Sequence, residues 1–161
     1  MTTSNDLLRA SATELAGLLR AGDVSATELT TDALERIEDM NSDLNAICHL
    51  AADEALEAAA AADRQLATGD PADLPAFFGV PTLIKELSFV EGWPVCGASL
   101  AVDYPPASTD EVVVARWRDA GFVFLGSSTS PEFGALATTE SLRHGATRNP
   151  WDLSRVSGGS S

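Results

Sequence analysis

Residues Phe77–Val90 read FFGVPTLIKELSFV, a nearly continuous apolar run within a chain of 161 residues. Such a run is typical of a strand that is buried on both faces of a sheet. Two charged residues, Lys85 and Glu86, interrupt its interior, and Lys85 is the only lysine of the chain. The pattern therefore predicts a core strand that carries charge in an unusual place.

Three helices are predicted on the amino-terminal side of this run. Ser11–Glu14 and Ser25–Glu28 both read SATE, the S-x-x-E form of a capping box that marks a helix start. The first helix should stop at Gly22 and the second before Asn41, because Gly and Asn are common at helix ends. The alanine-rich segment Asp53–Ala67 favours a third helix.

The remaining segments alternate in type. Gly92–Ser108 is rich in Gly, Pro and Ser and predicts a loop. Asp110 can cap a helix that ends at Gly121, and Phe122–Leu125 predicts a short strand. A further short strand is expected within Leu44–Leu50. This order of strand, helix and strand indicates an α/β fold with a sheet covered on its faces.

The overall charge restricts the choice of partners. The net charge is −14 and the sequence pI is near 4.2. A negative charge of this size repels phosphate groups, which argues against a nucleic-acid partner and against a membrane-surface partner. The most apolar runs are far too short to span a bilayer, so a cytoplasmic protein is expected. Cys48 and Cys96 lack CxxC spacing and are expected to be reduced, structural cysteines.

Lys85 is the first candidate for chemistry. Apolar neighbours disfavour the ammonium form of a lysine, so a neutral amine that accepts a proton is one interpretation. A stem that packs in the core while the head reaches water is the other. His49 and His144 have no second ligand at metal-binding spacing, so hydrogen-bonded polar residues are favoured over a zinc site.

The segment Ser157–Ser161, which reads SGGSS, also allows two interpretations. Its composition is typical of a flexible linker. However, it closely follows Asn149–Asp152, a turn with a large aromatic anchor, and glycine permits close approaches of the backbone that a functional loop can use.

Five separated motifs occur in a recognisable order. They are GVPTLIK at 79–85, GSSTSPEF at 126–133, TES at 139–141, GATRNPW at 145–151 and GGSS at 158–161. Together they resemble the amidase signature family, most densely from Leu74 onwards. The resemblance implies N-terminal helices followed by part of a mixed β-sheet covered by helices. Residues 1–161 would be the N-terminal part of one domain, mainly helical over 1–70 and beginning the α/β core over 75–161.

The resemblance also implies a catalytic triad of a lysine, a serine in a cis peptide bond and a second, nucleophilic serine. The lysine matches Lys85, and the first serine matches Ser160, with the cis bond expected between Gly159 and Ser160. Gly158, Gly159 and Ser161 would support this loop. The nucleophilic serine is expected beyond residue 161, and the chemistry implies no metal and no organic cofactor.

Three functional hypotheses follow from the resemblance. The first is hydrolysis, by the full protein, of a small-molecule carboxamide whose C–N bond is not a peptide bond. The alternative within the family is the glutamine-hydrolysing subunit of a tRNA-dependent amidotransferase, which needs partner subunits. The third is a truncated, inactive chain that at most binds a partner. Residues Glu132–Thr139 are expected to line the substrate pocket. The sequence does not decide the oligomeric state, and a homodimer is compatible with it.

The chain departs from the family pattern at three places. Glu86 stands where Asp is frequent, Ser128–Ser130 where Lys-Thr-Asn is frequent, and Ser157 where Pro is frequent. None of these positions belongs to the proton relay, but each can alter the packing around it.

Overall fold

The computed structural model describes Leu7 and residues 9–160, so that Ser161, predicted to support the loop before it, lies outside the described residues. Besides two short 3₁₀ helices, Pro71–Asp73 and Glu132–Gly134, four α-helices and seven strands follow one another along this part of the chain. In order they are α1 (Ala12–Ala21), α2 (Ala26–Leu44), β1 (Ile47–Leu50), α3 (Ala52–Thr68), β2 (Pro81–Lys85), α4 (Val112–Asp119), β3 (Val123–Ser128), β4 (Glu140–Ser141), β5 (Gly145–Ala146), β6 (Arg148–Asn149) and β7 (Asp152–Val156).

The predicted mixed sheet is confirmed. Three strands lie in the order β1-β3-β2, and β1 runs antiparallel to β3. Val123 N donates to Val80 O at 2.9 Å and Glu86 N donates to Ser128 O at 3.1 Å. Since both bonds advance in the same direction along the two chain segments, β2 and β3 run parallel. Parallel strands need a crossover connection, and α4 lies in the connection between them.

The helix starts predicted from the SATE repeats are also confirmed. At the first, Ser11 N donates to the Glu14 carboxylate and Glu14 N donates to Ser11 Oγ, which completes a capping box. Ser25 and Glu28 exchange the same pair of bonds at the second. Helix α1 ends at Ala21, where Gly22 adopts a left-handed backbone with φ of 73°. Because these signals act within one helical turn, they could be read from the sequence.

Helix α2 ends later than predicted. It was expected to stop before Asn41, yet it continues to Leu44. The Asn41 side chain lies in its last turn, accepts bonds from the backbone N–H groups of Ala46 and Ile47, and donates to Ile47 O. Asn41 therefore connects the end of α2 to the start of β1 instead of terminating the helix.

The apolar run that begins at Phe77 forms a shorter strand than its hydropathy predicts. Within this run, only Pro81–Lys85 forms a β-strand. Before it, a turn closes between Val80 N and Phe77 O, and the Phe77 ring stacks on Phe122 at a centroid distance of 4.7 Å. After it, Ser88 N donates to Lys85 O and closes a second turn. Turns therefore flank the strand on both sides, and Phe77 in the first of them packs against Phe122.

The contacts divide the described chain into two compact units. The first contains the residues up to 36 with 51–82 and 116–125, and its buried side chains include Leu19, Leu29, Ala59 and Leu125. The second contains 37–50, 83–115 and the described residues from 126 on, and its buried side chains include Ile84, Trp93 and Cys96. No helix in the described residues is long and apolar enough to cross a membrane.

One glycine fixes the approach of β1 to β3. Gly126 has φ of 154°, and a Cβ atom at this position would lie 2.1 Å from the carbonyl oxygen of His49. Because His49 belongs to β1, any side chain at position 126 would push the paired backbones apart.

We therefore expect Gly126→Ala to lower the free energy of unfolding by about 2–4 kcal/mol, because backbone atoms at a paired strand cannot move aside cheaply. Gly17→Ala is the matched control: it lies within α1, where the added Cβ meets nothing within 4 Å. The control should be neutral or slightly stabilising. Urea unfolding followed by circular dichroism measures both, and equal effects of the two changes would contradict the close approach at Gly126.

Candidate functional site

The structure brings together two of the predicted site residues that are far apart in sequence. Lys85 is the last residue of β2, and its half-buried Nζ donates to Ser160 Oγ at 3.0 Å. The peptide bond between Gly159 and Ser160 is cis, as the resemblance implied. Both residues belong to the second compact unit.

The loop that carries Ser160 is held by the segment 137–139. Gly159 N donates to Ala137 O at 2.9 Å, and Thr139 Oγ1 donates to Gly158 O at 2.7 Å. A Cβ atom at Gly159 would lie 3.0 Å from Thr139 Oγ1, so this position favours glycine. The predicted loop residues Gly158 and Gly159 therefore lie in a loop that hydrogen bonds hold in place, and not in a flexible linker.

The residue next to the lysine is a buried carboxylate with a full set of partners. Only 6 % of the Glu86 surface is exposed. One carboxylate oxygen accepts bonds from Ser130 N at 2.8 Å and Ser130 Oγ at 2.9 Å. The other lies 2.9 Å from His144 Nε2. Lys85 Nζ bonds Ser160 Oγ, whereas the Glu86 carboxylate contacts Ser130 and His144, so the two neighbouring residues have separate partners.

The partners of Glu86 determine its protonation. Burial alone would raise the pKa of the Glu86 carboxyl, but the hydrogen bonds from His144 and Ser130, together with the nearby imidazole, outweigh burial and lower this pKa below its ordinary value of 4.5. Glu86 is therefore a buried anion that its neighbours stabilise.

Two cysteines border the same carboxylate. Both are free, as predicted. Cys96 Sγ donates to Glu86 Oε2 at 3.5 Å and lies 3.7 Å from His144 Nε2. Burial, with the nearby Glu86 anion, raises the pKa of the Cys48 thiol to about 12. The thiol of Cys48 is accordingly protonated at neutral pH.

Sequence reasoning identified Lys85 and Ser160 but did not identify the group around Glu86. A signal for Glu86 was present, because an acid inside an apolar run requires compensation. His144 is 58 residues away and carried no such signal. Its expected role as a hydrogen-bonded polar residue agrees with the contact between its Nε2 and Glu86.

Comparisons with known proteins decide the family. A family model described as Amidase matches residues 28–161. The chain belongs to the amidase signature family. The resemblance inferred from the five motifs is thereby confirmed, and family membership agrees with the mixed α/β fold observed here.

Relatives of this amidase signature chain differ in their named activities. It is 42 % identical over 158 residues to the A subunit of the glutamyl-tRNA(Gln) amidotransferase of Acidothermus cellulolyticus, and the match covers 98 % of this chain and 31 % of that protein. A bacterial aryl acylamidase structure of the same family is 32 % identical with a TM-score of 0.83, covering 94 % of this chain and 31 % of that one. The structure of a vestigial protein complex, described as revealing the origins of an s-triazine catabolic enzyme, is 34 % identical with a TM-score of 0.88, covering 94 % and 33 %.

This family member is shorter than the proteins that it matches. The chain spans about a third of the length of the proteins that it resembles.

We expect Glu86→Gln to lower the free energy of unfolding at pH 7 by about 1–3 kcal/mol, because a buried anion that accepts charge-assisted bonds is lost. The folded-state pKa lies below 4.5, so the stabilising contribution of Glu86 is complete above about pH 4.5 and fades as the pH falls through the lower folded-state value. Urea unfolding between pH 3 and 7, in buffer with a chelator, measures this contribution.

The matched control is Glu57→Gln, at an exposed position of α3. It should change the stability at pH 7 by less than about 0.5 kcal/mol. If Glu86→Gln were as mild as this control, the buried carboxylate would contribute no net stability.

Proposed function

We propose that the full polypeptide hydrolyses a small-molecule carboxamide, with Lys85 and Ser160 acting as a proton relay for a nucleophilic serine beyond residue 161. The observation that carries this proposal is the 3.0 Å hydrogen bond between Lys85 Nζ and Ser160 Oγ. A lysine amine next to a serine hydroxyl can accept its proton, and such a pair can activate a further hydroxyl. Membership of the amidase signature family supports the same reaction class.

The relay moves protons first away from the nucleophile and then to the leaving group. Neutral Lys85 accepts the proton of Ser160 while Ser160 accepts the proton of the nucleophilic serine, whose oxygen bonds to the amide carbon. The reverse transfer protonates the amine or ammonia as the C–N bond breaks, which leaves an acyl-enzyme. Water, deprotonated through the same pair, then releases the carboxylic acid and restores both serines.

The segment Glu132–Thr139 supports a substrate pocket beside this relay. A Cβ atom at Gly134 would lie 3.6 Å from Ser160 Oγ, so this backbone passes close to the relay. Phe133 and Leu136, on either side, are 59 % and 53 % exposed. Exposed apolar side chains next to a reactive hydroxyl favour a substrate with an apolar acyl or amine portion.

A second candidate is the glutamine-hydrolysing subunit of a tRNA-dependent amidotransferase. The 42 % identity to such a protein from Acidothermus cellulolyticus favours it. The same relay would then release ammonia from glutamine, and partner subunits would be needed. The Ser-Pro-Glu-Phe stretch at 130–133 resembles the stand-alone amidases more closely.

Substrate assays of the native polypeptide separate the two candidates. We expect release of ammonia or amine from aryl and alkyl carboxamides by the purified polypeptide alone. Glutamine should be a poorer substrate, because its polar side chain gains little from an apolar pocket. Ammonia release from glutamine but not from the other carboxamides, and only when partner subunits are added, would support the amidotransferase candidate and contradict the first.

We expect Lys85→Ala and Ser160→Ala, each made in the native polypeptide, to lower kcat/KM for carboxamides by about 10²–10⁴-fold, because each removes a proton-transfer group. Ser157→Ala is the matched control, since it removes a hydroxyl from the same loop three residues before Ser160. This control should retain the activity of the unchanged protein.

Two outcomes would contradict the relay. Turnover that survives both Lys85→Ala and Ser160→Ala would exclude the proposed proton path. Turnover by purified residues 1–161 alone, lost on either change, would contradict the need for a serine beyond residue 161.

A further inference from the structure

Three side chains of types that can ligate a metal lie together beside the proposed relay. Cys48 belongs to β1, Glu86 directly follows β2, and His144 lies between β4 and β5. One ligand atom from each of these three residues lies within 4.8 Å of the other two. All three residues belong to the second compact unit.

Cys96 lies beside two members of this cluster. Its Sγ atom lies 3.5 Å from Glu86 Oε2 and 3.7 Å from His144 Nε2. Zinc binds sulfur at about 2.3 Å and nitrogen or carboxylate oxygen at about 2.0–2.2 Å, so the ligand atoms of a tetrahedral site lie about 3.3–3.8 Å apart. The two distances from Cys96 fall within this range, whereas the separation of 2.9 Å between Glu86 and His144 is that of a hydrogen bond.

The surroundings hold the ligands in orientation. The Glu86 oxygen that does not face His144 accepts both bonds from Ser130. The backbone of His144 is fixed from two sides, because its N–H donates to Ser141 Oγ at 3.0 Å and its carbonyl accepts from Asn45 Nδ2 at 2.6 Å. Bonds to a ligating carboxylate, such as those from Ser130 to Glu86, orient a metal ligand and strengthen binding.

We propose that Cys48, Glu86 and His144 bind a zinc ion, with Cys96 as the fourth ligand. Two sulfurs, one imidazole nitrogen and one carboxylate oxygen form a ligand set that suits Zn²⁺ and disfavours Mg²⁺ and Ca²⁺, which prefer oxygen ligands. The ion replaces the hydrogen bond between His144 and Glu86 and the thiol protons of both cysteines. This site departs from the expectation that the chain holds no metal.

The role of this ion is structural and does not depend on amide hydrolysis. With four protein ligands, the ion has no open position for a substrate. It joins β1, the end of β2, the loop 92–108 and the turn that carries His144. Because Glu86 directly follows Lys85, binding the ion also fixes the strand end from which Lys85 reaches Ser160.

Co²⁺ titration of the native polypeptide tests the site, since Co²⁺ reports tetrahedral thiolate coordination by its visible and near-ultraviolet absorption. The protein is first stripped with a chelator under reducing conditions and then titrated with Co²⁺, followed by displacement with Zn²⁺. We expect one ion per chain, thiolate-to-cobalt bands, and loss of those bands when Zn²⁺ is added. Cys48→Ser and His144→Gln should each weaken Zn²⁺ binding by at least about tenfold.

Asp152→Asn is the matched control, because it removes an exposed carboxylate of β7 that is paired with Arg155. It should leave both affinity and spectrum unchanged. Absence of thiolate-to-cobalt bands in the unchanged protein would overturn the proposal, whether or not the variants fold. Zn²⁺ binding that is equally tight in Cys48→Ser and His144→Gln would overturn it as well.

Discussion

The 3.0 Å hydrogen bond between Lys85 Nζ and Ser160 Oγ requires two parts of the chain that are 75 residues apart in sequence to meet. One part is the end of β2, which pairs with β3 through the bond from Glu86 N to Ser128 O. The other is the loop 158–160, which segment 137–139 holds through backbone and threonine bonds. Both anchors consist largely of bonds to the backbone, so they determine where the Lys85 backbone and the Ser160 loop lie. This is the kind of rigid support that a proton relay needs.

The buried carboxylate of Glu86 imposes a second requirement at the same strand end. An unpaired buried anion would be very costly, so it must be compensated by donors. Ser130 and His144 supply these donors from two further segments. The requirement therefore ties β2, the end of β3 and the β4–β5 turn to one point adjacent to Lys85. The Lys85 amine and the Glu86 carboxylate have different partners, so Lys85 bonds a hydroxyl and not the neighbouring carboxylate.

Local signals explain what could be predicted from the sequence. The capping boxes at Ser11 and Ser25 act within one turn, and their helices begin where expected. The strand within the Phe77 run was predicted, but its ends were not, because hydropathy does not distinguish a strand from an apolar turn such as the one that places Phe77 on Phe122. Asn41 was misjudged for a related reason: its side chain bonds across the helix end to β1, a tertiary role that resembles a stop signal in sequence. The same distinction applies to the site. The order of the motifs indicated Lys85 and Ser160, whereas the packing of His144 and both cysteines around Glu86 depends on the tertiary fold.

Active-site labelling can show whether Lys85 and Ser160 activate a separate serine. The native polypeptide would be treated with a fluorophosphonate probe, which reacts with activated serines, and the labelled peptide would be mapped by mass spectrometry. We expect one modified serine on the carboxyl-terminal side of Ser161, with labelling strongly reduced in Lys85→Ala. A label on Ser160 itself, or labelling that is unchanged in Lys85→Ala, would contradict the claim.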